Sequence, residues 1–251
     1  MDNASIDKAA ALLAAARRSR QPLDRLPADC RPATLDDAFA IQAATVAALG
    51  DRVAGWKLTL LPPDSQFAYG TILASVVKKS GQSVDARDVP LLGMEGEIAF
   101  RFLEDMPPRA AAYGYDDVAA RVMAFPLIEV VATRYVDYAG TPAIERTADM
   151  MSNGAFVVGE DQPAWRTMDL VNIPVSLTFD ETVVVDRKGG HVMGDPLRLA
   201  IDMVNRLRTT TGVRAGQMIT TGAYTGMQVC KPGQRVSVRF AGFPVCTVAV
   251  A

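Results

Sequence analysis

Apolar positions follow a helical period at the start of the chain and an alternating one later. Ile6, Ala9, Leu12, Leu13 and Ala16 form one stripe over residues 6–19, with Ser5 placed to cap it and Arg17, Arg18 and Arg20 at its end. Pro22, Pro27 and Pro32 punctuate the following loop, and Thr34 opens a second helix that runs through Ile41 and Val46 to Gly50. From Arg52 the pattern turns to strands, predicted over residues 53–60, interrupted at Pro62-Pro63-Asp64, then over 70–73, 94–102, 127–131 and 155–159. A hairpin is expected around Asp180-Glu181, and further strands over 218–221, 236–240 and 245–250. Asp116 is read as the cap of a helix through Val118, Val122 and Met123, and residues 144–151 as helix or turn. Asp195-Pro196 opens a helix that carries Leu197, Ala200, Ile201, Val204 and Leu207. Many strands among few helices predict an α+β chain, a mixed β-roll rather than a doubly wound sheet. Residues 1–51 are read as an N-terminal helical region appended to a domain over 52–251.

The strand over 94–102 organises the candidate chemistry. Ile98, Phe100 and Phe102 alternate along it, and Glu95 and Glu97 are expected on the inward side with them. Carboxylates so placed repel one another and resist desolvation, and a divalent cation would compensate. The competing reading puts both in solvent at a strand end beside Glu104 and Asp105. Glu129, between Ile128 and Val130, reads as a buried carboxylate with Arg134 as a possible ion-pair partner. Glu95, Glu97 and Glu129 together are a natural donor set for Mg²⁺ or Mn²⁺. Lys57 lies on the opposite face of its strand from Trp56 and Leu58. It either faces solvent or stands near the metal to bind a substrate carboxylate or move a proton. Two stretches, 147–154 and 220–226, offer hydroxyls and backbone N–H groups that suit a carboxylate or enolate oxygen, or are simply turns.

Composition narrows the classes. Hydrophobic residues make up 49% of 251 and charged residues 22%, an ordinary globular balance. The net charge of −2 and the absence of a basic run argue against nucleic acid, and no stretch has the length or character of a membrane span or leader peptide. Cys30, Cys230 and Cys246 are far apart, which suits a reducing cytoplasm and argues against zinc. The single histidine, His191, follows Gly189-Gly190 and is expected to be exposed and without a catalytic role.

In order, Gly55-Trp56-Lys57, Glu95-x-Glu97, Glu129 with Arg134, Asp149-x-x-Ser152-Asn153-Gly154 and Thr221-Gly222 with Lys231-Pro232-Gly233 form a specific set. The set resembles the 2-keto-4-pentenoate hydratase and 4-oxalocrotonate decarboxylase branch of the fumarylacetoacetate hydrolase superfamily, over about residues 35–250. The resemblance implies that superfamily's mixed β-roll, a Mg²⁺ or Mn²⁺ ion on Glu95, Glu97 and Glu129, and a 2-oxo acid that chelates it. It implies a cytoplasmic homo-oligomer of aromatic catabolism, with Lys57, Ser152 and Arg134 catalytic and Thr71, Asp149, Asn153, Thr221 and Gly222 binding substrate. The implied reaction is addition of water to a 2-oxo-4-alkenoate or 2-hydroxydienoate. Decarboxylation or tautomerisation would use the same enolate, and a weakened relative would only bind a 2-oxo acid or partner an active enzyme. Two departures keep these alternatives open: Ser75 stands where an acid is expected, and Gly194-Asp195-Pro196 replaces a Gly-His-Pro pattern. With one histidine placed far along the chain, cleavage of diketones is not expected.

Overall fold

The computed structural model describes residues 1–61 and 64–251, so the interruption at Pro62-Pro63 lies outside the described residues. Helix α1 (Asn3–Ser19) begins earlier than its stripe suggests, because Asp2 rather than Ser5 is the cap and accepts from the Ser5 N–H. Helix α2 (Leu35–Leu49) starts in a reciprocal cap between Thr34 and Asp37 and stops at Gly50, which is left-handed.

Next in the chain come β1 (Val53–Leu61), β2 (Gln66–Leu73), β3 (Val77–Lys79), β4 (Ser83–Val84) and β5 (Gly93–Phe102). They are followed by α3 (Tyr115–Ala119), β6 (Val122–Val131), α4 (Ala143–Ala148) and β7 (Asn153–Val158). The C-terminal part holds β8 (Pro174–Phe179), β9 (Thr182–Lys188), α5 (Leu197–Leu207), β10 (Met218–Thr220), β11 (Gln228–Val229), β12 (Arg235–Phe240) and β13 (Cys246–Val250).

One sheet has the order β2-β1-β10-β5-β6-β7-β3, with β11 added beside β5, and the other the order β4-β13-β12-β8-β9. Both are mixed, since β1–β10, β3–β7 and β4–β13 pair in parallel. Helices and mixed sheets together make the α+β class expected. Ile98, Phe100 and Phe102 of β5 enter the main core with Val236, Val238 and Phe240 of β12. Ala99 points the other way, into a cluster with Phe125, Leu127 and Phe156. Side chains on a strand alternate, so Glu95 and Glu97 share the Ala99 side and lie opposite Ile98, which corrects the expectation above. Both faces of β5 are covered, so the carboxylates are enclosed although they stand on the side opposite Ile98, Phe100 and Phe102.

Strand β6 begins at Val122, well before the apolar run at 127–131. Val122 and Met123, expected in a helix, pair with Phe102 and Arg101 instead, and α3 is a single short turn whose start is the Gly114 N–H held by Asp117. Pro126 is tolerated inside β6 because its carbonyl accepts from Gly159, just past the end of β7. Its missing N–H faces the same place and breaks no ladder bond.

The helical region is packed in, not merely appended. Its apolar cluster of Ala9, Leu13, Leu26, Cys30, Ala38 and Ile41 is completed by Tyr135 and Ala148 from beyond residue 51. Buried Gln42 donates to the Tyr69 and Thr147 carbonyls and accepts from the Thr71 N–H. Among the described residues no helix is long and apolar enough to cross a membrane.

Candidate active site

Antiparallel pairing of β5 with β6 sets Glu95 directly across from Glu129, with Glu97 next along the same face of β5. One oxygen from each of the three carboxylates lies within 4.8 Å of the others. Lys57 arrives from β1, which is separated from β5 by β10 alone. That approach depends on Gly55: a Cβ there would stand 1.8 Å from the Met218 carbonyl oxygen. Lys57 is buried, its Nζ donates to Glu129 Oε1, and it also donates to the Met151 carbonyl at 3.2 Å. The Gly222 N–H donates to Glu97 Oε2 at 3.0 Å.

Electrostatics follow from this packing. Burial, then the charges of Glu129 and Glu95, push the Glu97 carboxyl well above the ordinary carboxylate range. Burial raises Glu129 as well, although Lys57 opposes it. For Lys57 burial works against the charge, but Glu129 and the two other glutamates outweigh it and hold the ammonium protonated. Glu129 Oε2 is buried without a hydrogen-bond partner. Three converging carboxylates, one ammonium and an orphaned oxygen fit a hard divalent cation, and Mg²⁺ or Mn²⁺ suits such donors.

The segment after α4 closes the other side. Met150, Met151 and Ser152 have φ of 53°, 55° and 56°, three successive left-handed residues that carry side chains. Gly70 lets β2 press against them, since a Cβ there would lie 2.4 Å from the Met150 carbonyl oxygen. This backbone aims the Met151 carbonyl at Lys57 and places buried Ser152 Oγ, which has no hydrogen-bond partner, on the wall of the cavity. The cavity measures about 210 Å³ and is lined by Lys57, Glu95, Glu97, Ser152 and Gly222, together with Tyr138 and Arg146.

Six expected site residues stand outside this lining: Glu129, which is bonded to Lys57, and Arg134, Asp149, Asn153, Thr71 and Thr221. Arg134 pairs with Asp149 at 2.6 Å, not with Glu129, and its Nη1 donates to the Asn153 carbonyl. Asn153 in turn accepts from Arg17 and donates to the Thr71 carbonyl, while Gln42 accepts from Thr71. Arg134, Asp149, Asn153 and Thr71 therefore brace the left-handed segment from behind and do not line the cavity, where a catalytic or substrate-contacting role had been expected of them. Thr221 donates its hydroxyl to the Ile98 carbonyl and supports Gly222. Ser75 is exposed, and its N–H bonds Asp51. The departure there removes no group from this cavity.

His191 is buried, contrary to expectation. Gly189 and Gly190 have φ of 64° and 109° and turn the chain so that the ring tucks against Tyr224. Nδ1 accepts from the Met193 N–H, so the proton sits on Nε2 and is donated to the Thr221 carbonyl at 2.6 Å. Burial holds this pKa below its usual value and keeps the ring neutral. Tyr138 and Arg146 were not among the candidates. An arginine in a short amphipathic turn carries no local sign that it faces a cavity.

No family model matches the chain. It is 30% identical over 260 residues to 2-keto-4-pentenoate hydratase 1 of Dechloromonas aromatica, covering 96% of this chain and 97% of that protein. It is 29% identical over 252 residues to the 2-keto-4-pentenoate hydratase of Paraburkholderia phymatum, covering 96% and 92%. Among solved structures, 4-oxalocrotonate decarboxylase from Pseudomonas putida, complexed with magnesium and adipate, shares the fold with a TM-score of 0.82 at 21% identity, over 100% of this chain and 99% of that one. Fumarylpyruvate hydrolase from Pseudomonas aeruginosa, in complex with Mn²⁺ and pyruvate, aligns over 80% of this chain and 90% of its own with a TM-score of 0.57 at 13% identity. The ordered motifs, the carboxylate cluster and the end-to-end likeness agree, and the chain belongs to the 2-keto-4-pentenoate hydratase family.

Proposed function

We propose that this protein is a divalent-metal-dependent hydratase that adds water to a 2-oxo-4-alkenoate or its 2-hydroxydienoate tautomer. The observation that carries this reading is one cavity holding Glu95, Glu97, Lys57 and the unpartnered Ser152 hydroxyl, with Glu129 bonded to that lysine. The curated relatives named 2-keto-4-pentenoate hydratase support it. Glu95, Glu97 and Glu129 would hold Mg²⁺ or Mn²⁺, which when bound polarises a 2-oxo group and favours the enolate form of the acid.

The chain's own groups do the rest. Hydration takes a proton from the enol hydroxyl, delivers one to the carbon chain and adds water across the remaining double bond. Lys57 Nζ, held between Glu129 and the Met151 carbonyl, is the group placed to steady the oxygen that loses its proton. Ser152 Oγ is free to orient a substrate oxygen or the incoming water. Arg134, Asp149 and Asn153 act only by positioning that serine's backbone. Three unpaired cysteines support a reducing compartment. The finer fold reading, a superfamily β-roll with an N-terminal helical region, and assembly into a homo-oligomer belong to the same proposal, and light scattering would measure the subunit number.

The test is to incubate 2-hydroxypenta-2,4-dienoate with protein and Mg²⁺ and identify the product. The expected result is loss of the dienoate with incorporation of one water. Carbon dioxide release from 2-oxo-alkenedioates without water addition would make the protein a decarboxylase. No hydration of this dienoate or of a 2-oxo-alkenedioate by protein shown to bind Mg²⁺ would refute the reading.

A further inference from the structure

The cavity holds a cation that hydration does not use. Arg146, on α4, shares the lining with Lys57, Glu95 and Glu97. Its Nη1 donates to the Tyr138 carbonyl at 3.1 Å, and its guanidinium carbon lies 4.8 Å from the centre of the Tyr138 ring. Both contacts orient the group, and neither neutralises it. Among the described residues no carboxylate lies within ion-pair distance of Arg146, whereas Lys57 has Glu129. Among the described residues its remaining guanidinium N–H groups make no hydrogen bond.

Arg146 also stands apart from the glutamates. It projects from α4, whereas Glu95, Glu97 and Glu129 stand on β5 and β6, and none of the three lies within ion-pair distance of it. Apolar Leu61, Val131 and Ala143 contribute to the same lining. A ligand that matches this hollow has hydrocarbon in its middle and an anion at each end, and a guanidinium fork suits a carboxylate by two-point hydrogen bonding. Resting on the hydratase reading, which commits the 2-oxo acid end to the glutamates, we infer that Arg146 receives a second carboxylate at the far end of the substrate. The preferred substrates are then 2-oxo-alkenedioates, not 2-oxo-alkenoates that end in hydrocarbon.

Two stable ligands that differ only at that end, 2-oxohexanedioate and 2-oxohexanoate, provide the test by calorimetry with Mg²⁺ present. The protein is expected to bind the dioate roughly tenfold tighter or more, the measure of one charge-assisted pair. Arg146→Met should erase that preference by weakening the dioate alone. Arg146→Lys, which keeps the charge and loses the fork, should keep part of it and serves if the methionine variant melts early. Equal affinity of the unmodified protein for both acids overturns the distal subsite. So does a normally folded variant that weakens both alike, which would mean that Arg146 holds the carboxylate common to them. The hydratase reading fails separately: a protein that prefers the dioate yet hydrates no 2-oxo-alkenoate or 2-oxo-alkenedioate keeps the subsite and loses the reaction.

Discussion

Two buried ionic clusters face each other across the left-handed segment at Met150–Ser152, and they are built to opposite rules. Around Asp149 the hydrogen bonding is nearly complete: Arg134 Nε serves both carboxylate oxygens, Nη1 and Nη2 reach backbone carbonyls, and only Arg17 Nε lacks a partner. Around Glu129 three carboxylates meet one ammonium, and a buried oxygen has no partner at all. Buried charge marks architecture in the first case and candidate chemistry in the second. What separates them is unsatisfied valence facing a cavity, because a closed network has nothing left to offer a ligand.

The largest effect expected is on the closed cluster. Arg134→Met leaves buried Asp149 with only the longer 3.6 Å ion pair to Arg17 and should cost about 3–5 kcal/mol of stability in urea unfolding. Mg²⁺ affinity of the folded variant should stay within about threefold of normal, roughly 0.7 kcal/mol. Loss of metal binding without loss of stability would abolish the distinction. The open cluster should respond the other way. Glu97→Gln is expected to weaken Mg²⁺ binding about a hundredfold or more, roughly 2.7 kcal/mol, because a hard cation favours anionic oxygen. The metal-free variant should melt no lower than the parent, since it sheds a buried charge whose pKa burial had already raised.

Lys57→Met is expected to lower kcat/KM by more than about tenfold, roughly 1.4 kcal/mol. Inspection of the strand alone suggests that such a variant keeps its melting temperature. The ion pair with Glu129 argues instead for a lower one in metal-free protein at neutral pH, recovered when Mg²⁺ is added. The smallest effect is on pH dependence. Glu97 and Glu129 have folded pKa values above the usual carboxylate value of 4.5. A raised acid contributes stability that is present below its unfolded pKa and lost as pH rises toward the folded value. Metal-free protein should therefore lose stability from about pH 4.5 upward, and saturating Mg²⁺ should flatten that slope. Thermal melts in a series of buffers read both curves.

Much of the local structure was legible along the chain. The Thr34–Asp37 cap, the stop at Gly50, the hairpin at Asp180 and the helix after Pro196 all follow from residues that are neighbours in sequence. The three glutamates and Lys57 stood out because each interrupts an apolar run. Less legible was which partner each would find. Arg134 is near Glu129 in sequence yet binds Asp149, and Lys57 reaches Glu129 across 72 residues. The paired glycines before His191 read as a loose turn and instead fold the ring inward.

The sequence by itself determined the α+β class, the capped helices and the set of carboxylates, since periodicity, capping and charge are properties of short stretches. Tertiary structure alone decided that the Ala99 face of β5, which carries Glu95 and Glu97, is covered as well, that Lys57 meets Glu129, and that Tyr138 and Arg146 join the cavity. The order β1-β10-β5-β6 brings distant strands side by side, and α4 lays a surface-like turn over them. Such placements depend on long-range pairing and on burial of both sheet faces, which no local pattern encodes.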